Sequence, residues 1–310
     1  MLIGGKSLIL YCFLGNYGGW RWVSMKKLPV LAGVLVVALL VSVVVNVYFG
    51  SENALLIKEN SVQVSKLEMV SVLSRAQVQV NAELQRISGS LVYACGQLSV
   101  VGLEGDEARV VLGALVAKSS FIVDSGTVNV NGSVVAVAPM GHHFVEGVYV
   151  GEADYLIDSR NSVLPVMFGV LPLVEGFDGL VMIAPVFGSD GSRLGLVRVV
   201  FDPAVLLNAT IAPLIKGTDY AVTVSQLDSK ILYDTDPGQQ GKVLFDPIYA
   251  SYTSLLELWH RVASESSGYG TYTFVLSAES GQVVHKECYW ITIGVCGVEW
   301  RLVLIHALAG

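Results

Sequence analysis

The stretch Leu180–Asp202, LVMIAPVFGSDGSRLGLVRVVFD, decides the fold. Two Val-rich apolar runs flank Gly188-Ser189-Asp190-Gly191-Ser192, a cluster of residue types that turn a chain back on itself. Asp190 and Gly191 suit a turn with positive φ. The reading is an antiparallel hairpin of two largely buried strands. The same signature recurs upstream, where FIVDSGTVNV and GSVVAVAPM flank Asn131-Gly132, a favoured hairpin dipeptide. Downstream, DYAVTVSQ and SKILYD flank Asp228-Ser229, and GYGTYTFVLS, VVHKECYWITIGV and VEWRLVLIHAL read as three closing strands.

Helical segments separate these strands. AVLLNATIAPLI, in the crossover Pro203–Pro213, reads as a short helix, and YASYTSLLELWHRVASE as a longer one with Leu255, Leu256, Trp259 and Val262 on its apolar face. Antiparallel strands with helices to one side make an α+β fold. The expected division is a first sheet module at 101–210 and a second at 211–306.

Ahead of them the chain is of another kind. Leu28–Phe49 holds no charge and only Ser42 and Asn46 as ordinary polar residues. It meets the roughly 20 apolar residues that a membrane-crossing helix needs. Lys26 and Lys27 precede it and Arg21 and Lys6 lie further upstream, so the positive-inside rule expects a cytoplasmic N-terminus and an extracytoplasmic 51–310. A cleaved signal is the alternative, but Tyr48 or Phe49 would stand where a cleavage site wants a small residue. The expectation is an uncleaved anchor at 25–50 in a single-pass membrane protein. The short segment 1–24 is read as dispensable, with Met25 an equally natural start.

From Met69, apolar residues recur at Leu73, Ala76, Val80, Leu84, Ile87, Leu91, Ala94 and Leu98, in steps of three and four. That is helical periodicity, and it predicts a long stalk helix over 51–100. The stripe suits either a coiled-coil seam with a second copy or a face on which the sheet modules pack.

Composition excludes some functions. A net charge of −7 leaves no basic face for nucleic acid. Cys95, Cys288 and Cys296 cannot all pair within one chain and read as small buried hydrophobes. No Cys-x-x-Cys occurs, and the adjacent His142 and His143 lack a second pair at ligand spacing, so neither a metal nor a cofactor is expected.

An anchor, a long helix, two tandem PAS-like modules and the phrases APVFGSDGSRLGLVRVVFDP, GYGTYTF, KECYWITIGV and GVEWRLVLIHAL together resemble a double Cache extracytoplasmic sensor over about residues 51–306. Pro185, Val186, Phe187, Asp190, Gly191 and Gly195 match the hairpin that closes the family's first module. Leu232, Tyr233, Gly241, Val243, Leu244, Trp300 and Leu302 match positions of its second. The second module departs in having Asp228-Ser229-Lys230 where Asp-Gly is usual, and the expectation is a stand-alone form without an output domain.

The resemblance implies a small-molecule pocket in the membrane-distal first module, beneath its crossing loops. Candidate ligand-binding residues are Tyr149, Tyr155, Asp158, Arg160 and Asp178, with Arg160 suited to a carboxylate and Asp178 to an ammonium. Amino-acid-sensing relatives place a Trp in this region, and this sequence has none between Trp22 and Trp259. A second pocket in the membrane-proximal module would draw on Tyr233, Asp234, Asp236, Tyr249 and Lys286, although LYDTDPG reads equally as a strand ending in a polar turn.

The leading expectation is therefore a membrane-anchored extracytoplasmic sensor that binds a small molecule and signals only through a partner, either a second copy along the stalk or a separate protein. A structural or adaptor subunit with a vestigial pocket is the rival. An exported enzyme is a weaker one: G-x-S-x-G, H-E-x-x-H and Walker loops are all missing from the exported segment, and only Tyr233, Asp234 and Asp236 offer acid–base groups.

Overall fold

The computed structural model describes residues 28–153, 161–275 and 283–308. The chain divides into two compact units, Met1–Val64 and Ser65–Gly310. Helix α1 is recorded as Leu28–Val101, so the apolar segment and the stalk are helical as expected. Among the described residues it is the one helix long and apolar enough to cross a membrane. In the first unit its side chains from Gly33 to Val64 are exposed, and Asn46 Nδ2 donates to Ser42 O at 2.7 Å.

The second unit holds two antiparallel sheets. The first comprises β1 (Ile122–Asn129), β2 (Val134–Ala138), β3 (Val166–Met167), β4 (Leu171–Pro172), β5 (Asp178–Phe187) and β6 (Arg193–Phe201). Its order is β2-β1-β6-β5-β3, with β4 paired to β5. The second comprises β7 (Ala221–Gln226), β8 (Ile231–Asp234), β9 (Ser267–Val275), β10 (Val283–Ile293) and β11 (Trp300–Ala307), in the order β8-β7-β11-β10-β9. Apart from β4, the two sheets repeat one strand order, as tandem PAS-like modules should. Among the described residues the further α-helices are α2 (Gly105–Val116), α3 (Pro203–Ile215) and α4 (Thr253–Ser264).

The hairpins fall where their turns predict. Between β5 and β6, Gly188 N donates to Ser192 O at 2.8 Å, Asp190 Oδ1 accepts from Ser192 N at 2.9 Å, and Gly191 has φ 79°. The second sheet's first turn does the same work with a serine: Ser229 takes φ 72°, and its Oγ accepts from Phe245 N at 3.0 Å. That local hydrogen bond helps hold a conformation for which glycine is the default.

The stalk stripe is a packing face. Met69, Leu73, Ala76, Val80, Leu84, Ile87, Leu91, Ala94 and Leu98 are all buried, in a single apolar cluster that includes residues of both sheets, α2 and α3. The alternative of a seam with a second copy is excluded for this stripe, because its side chains are already covered by the chain's own sheets. Polar contacts reinforce the docking: Gly294 N donates to Asn81 Oδ1 at 2.9 Å and Gln77 Nε2 to Thr292 O at 2.8 Å.

Two readings change. Helix α2 was not anticipated, although Ala108, Val111, Leu112 and Leu115 bury at helical spacing. In α4 the buried face is Leu255, Leu258, Trp259 and Val262, and Leu256 is only half-buried, because the helix begins at Thr253 and its apolar stripe follows the i, i+3, i+4, i+7 spacing from Leu255. Arg301, 3% exposed, closes the far end of α4 by donating to the carbonyls of Val262, Ala263 and Glu265.

Candidate functional site

The first sheet buries both faces. One face meets the α1 cluster through Leu180, Met182, Val197, Val199 and Phe201. The other presents Val181, Ile183, Leu196 and Val200 to a covering layer that includes Val145, Val150, Val166, Phe168, Leu171 and Phe177. Within this loop-covered face lies a buried polar cluster formed by Asp124 of β1, Arg198 of β6 and Glu175, with His142 at its edge.

Asp124 is completely buried, Arg198 is 2% exposed, and the Glu175 side chain is 1% exposed. Arg198 Nη2 donates to Glu175 Oε1 at 2.6 Å and lies 3.6 Å from Asp124 Oδ1. His142 Nδ1 stands 3.4 Å from Asp124 Oδ2 and its side chain is a quarter exposed. Gly126, opposite Arg198 on the neighbouring strand, makes room for the guanidinium: a Cβ there would lie 3.4 Å from Arg198 Nε and 3.2 Å from Ala136 O.

Each residue is held by a different element. Glu175 sits in the turn of the short β4–β5 hairpin, where Leu173 N donates to Phe177 O at 3.0 Å and Gly176 has φ 89°. His142 belongs to a 3₁₀ segment, Met140–Val145. That segment is followed by Glu146, which accepts both donors of Arg109 from α2, at 3.1 and 2.9 Å, and Val137 N at 2.9 Å. Arg109 therefore holds the Glu146 carboxyl below its ordinary pKa.

The electrostatics of the cluster are unbalanced. Burial pushes the Asp124 carboxyl up to about 7, Arg198 opposes that shift, and the neighbouring Glu175 carboxyl adds to it. Among the described residues neither Asp124 oxygen accepts a hydrogen bond, nor does Glu175 Oε2. Buried carboxylate oxygens normally have partners. The cluster can accept a donor from a bound solute, with apolar walls on either side.

The residues expected from sequence are placed otherwise. Tyr155, Asp158 and Arg160 lie outside the described residues. Tyr149 is 59% exposed and lies over Gly132 and Gly151 at the β1–β2 turn. Asp178 is exposed and paired with Lys230 Nζ at 3.2 Å instead of turning into the cluster.

In the second sheet, Tyr233 and Asp234 are neighbours on β8 and so face opposite sides. Tyr233 joins the α1 cluster, its hydroxyl 3.4 Å from Asn208 Oδ1. Asp234 accepts from Thr223 Oγ1 at 2.6 Å, and Asp236 accepts from Gly238 N at 3.0 Å to cap a 3₁₀ turn. Tyr249 is half-buried near Tyr252, and Lys286 Nζ lies over Phe274 at 5.3 Å. Asp234 accepts from Asp236 N at 2.8 Å and acts electrostatically with Tyr233, Asp236 and Lys286, whereas Tyr249 is influenced by Asp246 and Tyr252 instead. Asp124 and Arg198 escaped the sequence reading, though a charged residue within an apolar strand, as in IVDSG and LVRVV, was the available signal.

Comparison with known proteins fits this architecture. Residues 82–203 match the family HK/GC/chemotaxis protein-like, sensor domain. Over those residues the chain is similar to sensor domains of this type. An extracellular ligand-binding receptor from Desulfohalobium retbaense is 27% identical over 77% of this chain, with a TM-score of 0.66. This chain spans only 40% of that receptor's length. The ligand-binding domain of the Pseudomonas fluorescens chemoreceptor CtaA, solved with L-serine, aligns over 81% of this chain and 98% of its own, at 13% identity and TM-score 0.56. The periplasmic sensory domain of the Campylobacter jejuni chemoreceptor Tlp1 aligns over 77% and 93%, at 12% identity and TM-score 0.55. At such identities CtaA and Tlp1 show the fold alone, which is that of Cache-type sensor domains. No curated protein matches this chain in sequence.

Proposed function

We propose that this chain is a single-pass, membrane-anchored extracytoplasmic sensor whose first sheet binds a small solute against Asp124 and passes the change to a partner. The observation that carries the reading is the buried Asp124 carboxyl, whose oxygens accept no hydrogen bond among the described residues on the loop-covered face of the sheet. Such a group favours a solute that offers a donor, above all an ammonium, because the charge-assisted bond would stabilise a carboxylate that burial disfavours. Arg198 and Glu175 fix the polar floor, and Val181, Ile183, Leu196 and Phe177 supply apolar walls.

Lys26 and Lys27 before the apolar helix support the orientation with the sheets outside. The small-molecule ligand of CtaA supports the solute class only by analogy of fold. α1 is the route by which a change would leave, because its buried stripe touches the cores of both sheets.

The test is a thermal-shift screen of small amines, amino acids and carboxylates on the whole chain in detergent, repeated on Asp124→Asn. The expected result is saturable stabilisation by an amine-bearing solute that the substitution weakens at least about tenfold in apparent affinity. A ligand that stabilises both forms equally would remove Asp124 from the site.

A further inference from the structure

The hairpin that carries Glu175 into the polar cluster is attached to the second sheet at both of its feet. On the incoming side, Val170 N donates to Gln226 Oε1 at 2.7 Å, just before β4 begins at Leu171. Gly169 permits this approach, since a Cβ there would stand 2.7 Å from Gln226 Oε1. On the outgoing side, Asp178, the first residue of β5, pairs with Lys230 Nζ at 3.2 Å. Slightly earlier, Met167 N donates to Cys296 O at 3.0 Å, in the turn between β10 and β11. Gln226 ends β7, and Lys230 follows the Asp228-Ser229 turn, so both feet rest on one hairpin of the second sheet.

We infer that Gln226 is a positioning residue for the first sheet's site: by fixing the foot of the β4–β5 hairpin, it sets where the Glu175 carboxylate stands relative to Arg198 and Asp124. The inference rests on the proposed role of Asp124 as the solute-binding group. It gives the second sheet a part in that site. The half-buried backbone N–H of Val170 has Gln226 as its acceptor, so withdrawing the amide removes that partner and leaves the hairpin foot free to shift. Glu175 is five residues along from that foot, in a turn held by the Leu173–Phe177 pair, and moves with it.

The coupling is reciprocal. Whatever moves Glu175, a bound solute or a proton on its neighbour, strains the same two feet in the opposite direction. Occupancy of the first sheet would then be felt at the β7–β8 turn and at the β10–β11 turn, whose Gly294 is already tied to Asn81 of α1.

Among the described residues, the charged and titratable groups facing Asp124 are Arg198 from β6, Glu175 from the hairpin and His142 from the 3₁₀ segment. Of these, Glu175 is the one held from the second sheet. Its displacement would weaken the Glu175–Arg198 pair that competes with Asp124 for the guanidinium and would remove a negative neighbour. Both changes favour the ionised form of Asp124.

The test reads the Asp124 proton directly, by infrared difference spectroscopy of the whole chain in detergent as a function of pH. The protonated-carboxyl band that Asp124→Asn abolishes identifies the group. Gln226→Ala is expected to lower the midpoint of that band by at least about half a pH unit. In a Glu175→Gln background the same substitution should leave the midpoint where it was.

Lys230→Gln, which frees the other, more exposed foot, should shift the midpoint in the same direction by less, and serves should Gln226→Ala fail to fold. A midpoint unmoved by either substitution, with stability lowered equally at every pH, would show that Gln226 is merely structural and overturn the inference. Absence of any titrating Asp124 band between about pH 4 and 8 would overturn it through the site itself. The solute screen can fail separately, since the infrared measurement uses no ligand.

Discussion

Replacing Asp124 by Asn should change the pH dependence of stability in a defined way. The wild-type carboxyl is raised from 3.8 to about 7 and is completely buried. A raised acid keeps its proton in the folded state over pH values at which the unfolded chain has lost it. The folded state therefore binds more protons between these limits, and stability falls as pH rises from about 4 to about 7. At about 1.4 kcal/mol per pKa unit, a shift of this size corresponds to at most about 4 kcal/mol.

Rearrangement of Arg198 and entry of water reduce that figure, so a loss of about 2–4 kcal/mol is expected in the wild type. Asn cannot ionise and has no such slope. The variant should be close to wild type near pH 4 and melt several degrees higher near pH 8, at about 2–4 °C per kcal/mol for a domain of this size. The assay is thermal unfolding of the detergent-solubilised chain at pH steps between these limits, wild type against variant. Parallel melting profiles across the range would refute the reasoning, because they would mean that Asp124 is as ionised in the folded protein as in the unfolded one.

Two further outcomes test the fold. Leu84→Ala, in the middle of the buried α1 stripe, should lower stability by about 2–5 kcal/mol in denaturation measurements, whereas Val78→Ala, 62% exposed on the same helix, should change it by less than about 0.5 kcal/mol. Arg301→Met should cost about 3 kcal/mol by leaving the carbonyls of Val262 and Ala263 without their side-chain donor, while Glu265 O keeps Trp290 Nε1, with amide exchange quickening first in the last turn of α4.

Much of the fold is legible in the sequence because its turns carry their own chemistry. Asn131-Gly132 and Asp190-Gly191 each mark a reversal whose strands are where the hydrophobic runs end. The stripe from Met69 to Leu98 was equally plain, but periodicity tells only that a face is buried, never against what. Its partner is set by the two sheets, whose residues are distant in sequence. Helix α2 was overlooked because Gly105 and Gly113 bracket a short apolar stretch that reads weakly beside the neighbouring stalk.

The site was the least legible part. Tyr149 and Asp178 were chosen for lying on or near a polar loop, yet both face solvent, and Tyr233 and Asp234 were grouped although strand alternation sends them to opposite faces. The groups that do converge come from four separate segments, and only Asp124 and Arg198 carry a local mark, a charge placed where an apolar strand has no use for one.

One apolar cluster runs through the first sheet, the second sheet, α2, α3 and the α1 stripe. The two sheets repeat a strand order and each has a core of its own on the face away from α1, but on the α1 side they share one interior. Cutting the chain between Ile215 and Ala221 would strip each half of contacts that the other supplies through α1. The sheets should therefore melt in a single transition, and a tandem architecture here behaves as one cooperative unit of folding.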